Sequence, residues 1–148
     1  MPTDDQVQEV ALNLRTSDLI EAVNSGSCSG GDAVWGSWGA SSVRLGIEGD
    51  DGQIVGVCGV CKDGPAGEVW MLGTDGLMAT PSHRRQFVRL SQQWINELLL
   101  DWRVLHNWVF AANRKSVAWL RFLDFTVYPA QPHGPYAQLF RYFCREVN

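Results

Sequence analysis

Between Pro81 and Trp102, seven large apolar residues (Phe87, Leu90, Trp94, Ile95, Leu98, Leu99 and Trp102) fall on one wide helical stripe. Thr80 followed by Pro81 is a sound helix start, because a threonine hydroxyl caps the first turn and proline is pre-set for its first position. A helix this long cannot leave such a stripe in water. The rest of the chain must therefore supply a broad apolar surface for it, and the patterns around it are those of a sheet.

Before the helix, Val43 to Glu48 and Gln53 to Cys61 alternate about Gly49-Asp50-Asp51-Gly52, which predicts a hairpin. A turn over Lys62 to Gly67 then leads to a third strand from Glu68 to Leu72. After the helix, Val104 to Ala112 reads as a strand, Arg114 to Leu123 as a short helix and Phe125 to Tyr128 as a strand. A loop carrying Pro129, Pro132, Gly134 and Pro135 leads to a last strand over Tyr136 to Cys144. At the start, Val7, Val10, Ala11 and Leu14 mark one helix over Asp4 to Leu14, and Ser17 opens a second that ends before Gly26. The Gly- and Ser-rich residues 25 to 42, with Trp35 and Trp38 embedded, read as a loop carrying two aromatic anchors.

The fold class expected from this order is α/β (α+β): a mixed, mainly antiparallel sheet with helices packed on both faces. A chain of 148 residues has room for one such domain, 1–148. A net charge of −4 argues against a nucleic-acid partner, and Arg84, Arg85, Arg89 and Arg103 read as a solvated helix face. No apolar run reaches the ~18 residues of a membrane span, and the N-terminus lacks the pattern of a signal peptide. Cys58 and Cys61 are three apart in a strand, hence on opposite faces, so neither a metal nor a redox pair is expected. His83, His106 and His133 lie in separate elements and anchor no hydrolase triad.

The run Asn113-Arg114-Lys115-Ser116-Val117-Ala118-Trp119-Leu120-Arg121-Phe122-Leu123-Asp124-Phe125 resembles the late strand-to-helix segment of GNAT N-acetyltransferases, N-x-x-A-x-x-x-Y-x-x-x-G-F. Asn113, Ser116 and Phe125 are in register. Leu120 stands at the usual general-acid tyrosine and Asp124 at the glycine. The run Pro81-Ser82-His83-Arg84-Arg85-Gln86-Phe87-Val88-Arg89 is similar to that family's P-x-x-R-x-x-G-x-G/A cofactor loop, with Phe87 and Arg89 at both glycines. If the chain is active, the resemblance implies Arg84, Arg85, Gln86, Arg89 and Asn113 as contacts for acetyl-CoA. Glu68 or Asp75 would then be the base, with Tyr128 and Tyr136 as substitute acids.

Trp70-Met71-Leu72-Gly73-Thr74, Trp119-Leu120, and Gly134 with Leu139 to Phe143 are also similar to a GNAT-like family of short-tailed bacteriophages found among internal virion or core-associated proteins. That resemblance, with the altered glycines and tyrosine, implies a non-catalytic structural or assembly component of the virion (head interior, portal or ejection apparatus), without cofactor or metal. Its partners would be other virion proteins, including portal, core or ejection proteins, or further copies of itself, met through Trp35, Trp38 or Trp108. It would be made in the host cytoplasm and end in the virion. The alternatives are an active acetyl-CoA-dependent N-acetyltransferase with an atypical cofactor site, and a soluble adaptor or inhibitor of a host protein.

Overall fold

The computed structural model describes residues 1–147 and places the long helix against a seven-stranded sheet. Three helices come first: α1 (Asp4–Leu12), α2 (Thr16–Asn24) and α3 (Gly30–Ala40). Strands β1 (Ser41–Glu48), β2 (Ile54–Asp63) and β3 (Ala66–Gly73) form an antiparallel meander. A 3-10 turn, Asp75–Met78, leads into α4 (Pro81–Asp101). Then come β4 (Val104–Phe110), α5 (Arg114–Phe122), β5 (Thr126–Val127), β6 (Gln131–His133) and β7 (Gln138–Glu146). The sheet order is β1-β2-β3-β4-β7-β5, with β6 also on β7.

Helices α4 and α5 lie on one face. Ile95, Leu98, Val117, Leu120 and Leu123 pack there on Val60, Val69, Leu105, Val109 and Phe143. Helices α1 and α3 pack on the other face, where Val7, Val10, Val34 and Trp38 meet Val57 and Leu72. This is the expected mixed, mainly antiparallel sheet with helices on both faces. The meander matches the sequence pattern, including the tight turn in which Gly52 takes a positive φ of 80° and the Gly49 amide bonds to the Gln53 carbonyl.

Three expectations need correction. Residues 25 to 42 are not a loop, because Ser29 caps a helix through the Asp32 amide at 3.1 Å and Ala33, Val34 and Trp38 form its buried face. Glycine content hid that spacing. The Pro- and Gly-rich stretch after β5 contains β6, whose ladder to β7 needs a partner distant in sequence from any local pattern. The third strand begins at Ala66, because β2 runs on to Asp63 and leaves only Gly64 and Pro65 as the turn.

Asp124 follows α5 with φ at 65°, and the Phe125 amide closes the helix end on the Leu120 carbonyl at 3.1 Å. The position thus keeps the left-handed backbone that the resemblance assigns to glycine, which aspartate tolerates better than most residues. Asp124→Val is expected to lower stability by about 1–2 kcal/mol, while Asp124→Gly leaves it unchanged or raises it. Urea unfolding of the two variants checks this.

Candidate active site

Strands β3 and β4 are parallel neighbours but pair over only three positions, Ala66 with Val104, Gly67 with Leu105 and Glu68 with His106. Beyond Glu68 they separate, which leaves main-chain groups along both edges without a strand partner. A buried, unpaired amide costs about 1–3 kcal/mol, so the divergence requires side chains to take the place of the missing ladder.

Four side-chain contacts do so. Asn107 donates from Nδ2 to the Val69 carbonyl at 2.8 Å, and its Oδ1 accepts from the Trp108 amide at 2.7 Å. At the far end, Asp18 Oδ2 accepts from the Gly73 amide at 2.8 Å and Glu21 Oε1 from the Phe110 amide at 2.5 Å. Both acids come from α2, which is thereby wedged into the mouth of the split. Between these plugs, strand parity aims the Met71 N–H and C=O into the gap. The Val69 carbonyl and the Gly73 amide, two residues to either side, point there, whereas the Thr74 amide turns back to the Val55 carbonyl.

The split opens into a cavity of about 1120 Å³ that borders both faces of the sheet. On the α4–α5 side it meets Phe87, Ser91, Trp94, Ser116, Trp119 and Leu120. On the other it meets Glu21, Ser25, Ser37, Trp70, Trp108 and His133. Trp119 stacks on Phe87 with ring centroids 5.3 Å apart, joining α5 to α4. Its indole Nε1 is buried without an acceptor among the described residues, a donor that a polar ligand in this lobe would satisfy.

The electrostatics single out Glu21. Burial pushes its carboxyl up to about 7, reinforced by the nearby Asp18 charge, while the Phe110 amide and the Arg15 guanidinium pull the other way. Asp18 is itself held by Arg15 Nε at 2.9 Å. A carboxyl balanced near neutrality beside unpaired strand edges can accept a proton at physiological pH.

The residues named from sequence are distributed as follows. Glu68 is exposed on β3 at the closed end of the split and borders the cavity, whereas Asp75 is exposed in the 3-10 turn away from it. Arg84, Arg85, Gln86 and Arg89 lie on the exposed side of α4, and Arg84, Arg85 and Arg89 border a second hollow of about 340 Å³. Asn113 caps α5, accepting from the Ser116 amide at 3.4 Å. Leu120 is 5% exposed in the core, and Tyr128 and Tyr136 are exposed and do not border the cavity. Trp38 is buried and Trp35 donates to Gln8 at 2.7 Å, so both are occupied within the fold.

Sequence reasoning missed Glu21, Asp18, Asn107 and the Met71 amide. The helical pattern of α2 pointed the wrong way for the acids. In α2, Leu19, Ile20 and Val23 face solvent while Asp18 is 3% exposed, so the polar residues turn inward where amphipathicity would place the apolar ones.

No protein-family model and no curated protein matches the chain. Solved structures do match over nearly its whole length. A protein of Streptococcus mutans UA159 superposes with a TM-score of 0.68 at 16% identity, over 100% of this chain and 97% of its own. A putative phosphinothricin N-acetyltransferase gives 0.65 at 11%, over 100% and 96%, and a GNAT-family acetyltransferase from Streptococcus pneumoniae gives 0.61 at 10%, over 97% and 94%. The chain has the GNAT fold.

These matches overturn the expectation of a non-catalytic structural or assembly component of the virion, since solved structures that share the fold include acetyltransferases and none of those named here is a virion protein. That expectation rested on the altered glycines and tyrosine, which are changes within two segments. Glu21, supplied by a third segment, lay outside that comparison.

A raised carboxyl binds its proton more tightly in the folded than in the unfolded chain. Glu21 should therefore weaken folding as pH rises from its ordinary 4.5 through about 7, by up to about 3 kcal/mol. Urea unfolding of wild type should show this decline across that interval, and Glu21→Gln should largely abolish it.

Proposed function

We propose that the protein is an acetyl-CoA-dependent N-acetyltransferase with an atypical cofactor site. The observation that carries this is the side-chain-plugged split between β3 and β4, with the Met71 amide aimed into it and Glu21 poised near neutrality at its mouth.

Acetyl-CoA is a substrate here and supplies an activated thioester. The chain suits its two ends differently. No glycine-lined cradle exists at the start of α4: the helix is already formed from Pro81, Thr80 Oγ1 takes the His83 amide at 3.1 Å, and Phe87 turns inward onto Trp119. The charge chemistry is instead that of Arg84, Arg85 and Arg89, whose guanidinium groups bind phosphate oxygens in pairs without close main-chain approach. At the reactive end, the Met71 N–H is a fixed donor for negative charge developing on a thioester oxygen. The buried Trp119 Nε1–H offers a second donor in the α4–α5 lobe, suited to an amide-bearing arm.

Glu21 takes a proton from the acceptor's ammonium group. The freed nitrogen forms the C–N bond as the C–S bond breaks. Of the two protons lost from nitrogen, one passes through Glu21 to solvent and one ends on the thiol. A thiol with an ordinary pKa of about 8.5 leaves readily near neutral pH, so Leu120 in place of a tyrosine does not forbid the reaction. Asp18 and Arg15 fix the α2 end of the split. The resemblance to phage proteins concerns origin, and no step depends on it.

Two results are expected. With acetyl-CoA and a panel of primary amines, wild type forms acetylated amine and free thiol, and kcat/KM rises with an apparent pKa near 7. Glu21→Gln lowers kcat by about 10²–10⁴. Calorimetry should show acetyl-CoA binding that weakens by about tenfold or more in the Arg84→Ala, Arg85→Ala double variant, the loss of a bidentate charged contact. Absence of both binding and turnover would defeat the reading.

A further inference from the structure

The acetyltransferase reading leaves the acceptor open, and the charge of the cavity narrows it. Six carboxylates border it against one guanidinium, that of Arg15. Asp18 is neutralised by Arg15, and Asp50 is held by His83 Nε2 at 2.7 Å. Glu21, Glu48, Glu68 and Glu97 have no cationic partner among the described residues. An acidic cavity raises the local concentration of cations and repels anions, while the arginines suited to the donor's phosphates lie outside it on α4.

Two of these carboxylates, from α2 and β3, can be placed along β4. Glu21 bonds the Phe110 amide and Glu68 is level with His106. Those β4 positions, His106 and Phe110, are four residue steps apart, about 13 Å at ~3.3 Å per residue. Trp108 lies halfway, about 6–7 Å from either, on the face of the sheet that borders α2 and β6. One face of its ring is covered by His133, parallel within 10° at 3.9 Å, which holds the indole in place beside the groove. Trp70 borders the same groove and is anchored by its Nε1 to Ser41 Oγ at 2.6 Å. Aromatic faces with a carboxylate beyond them bind an ammonium group well and a neutral alkyl end less well.

Resting on the acetyltransferase reading, we infer that the acceptor is a linear aliphatic diamine or polyamine. One amine is delivered to Glu21 and the next cationic centre lies over the Trp70–Trp108 surface toward Glu68. Spacing selects a chain whose neighbouring nitrogens stand about 6–7 Å apart. Neutral, zwitterionic and anionic amines lack the second charge and are disfavoured by the remaining carboxylates.

The test is steady-state acetylation of 1,4-diaminobutane, butylamine and 4-aminobutanoate, which present the same amine with a cationic, neutral or anionic far end. Wild type is expected to show a KM for the diamine lower by about tenfold than for butylamine, with kcat similar. Transfer to 4-aminobutanoate should be weaker still. Glu68→Gln and Trp108→Ala should each raise the diamine KM severalfold and bring the ratio of diamine to butylamine KM toward one, with urea unfolding of each variant showing that it is folded. Equal use of all three amines would overturn the diamine assignment while leaving the acetyltransferase reading standing. A fall in kcat for butylamine in Glu68→Gln would overturn it too, by making Glu68 the base. No transfer to any amine would remove the acetyltransferase reading itself.

Discussion

The separation of β3 from β4 is the constraint on which the rest of the structure depends. Parallel strands that pair at three positions and then diverge expose main-chain groups inside the protein, which is tolerable only if other polar groups satisfy them. Asn107, Asp18 and Glu21 meet that need. Their placement fixes where α2 must lie, and α2 in turn sets the entrance to the cavity.

The same arrangement explains why the Glu21 carboxyl is pushed up to about 7. A carboxylate buried to accept one strand amide loses most of its hydration, and the neighbouring Asp18 charge adds to the penalty. A structural role and a proton-accepting role therefore fall on one residue. The two faces of the sheet are divided between the partners of the proposed reaction. The α4–α5 side has arginines on its exterior and an unsatisfied indole donor within, while the α2 side has Glu21, Trp70 and Trp108. In the proposed reaction, a polyanionic donor and a cationic acceptor would not compete for one surface.

The fold was legible because its elements carry local patterns. The α4 stripe, the Gly49–Gly52 turn and the short helix from Arg114 each depend on residues a few positions apart, and each is found where the pattern places it. Asp124 shows how a single letter can mislead: its side chain departs from glycine, yet its backbone keeps the glycine conformation. Helix α3 was hidden because glycines dilute a helical pattern that burial of Val34 and Trp38 nevertheless stabilises.

By itself, the sequence determined the meander, the long helix packed on it and the departures from the glycines and tyrosine of the two motifs it resembles, since all of these are local properties of the chain. It could not show that Glu21 meets Phe110, eighty-nine residues away, or that Asp18 reaches Gly73. Only the tertiary structure decided that, because the pull on those acids comes from amides left unpaired by a divergence of strands, and divergence has no signature in local spacing. The departures from the resembled motifs are written in the sequence; the contacts of Glu21 and Asp18 exist only where distant segments meet.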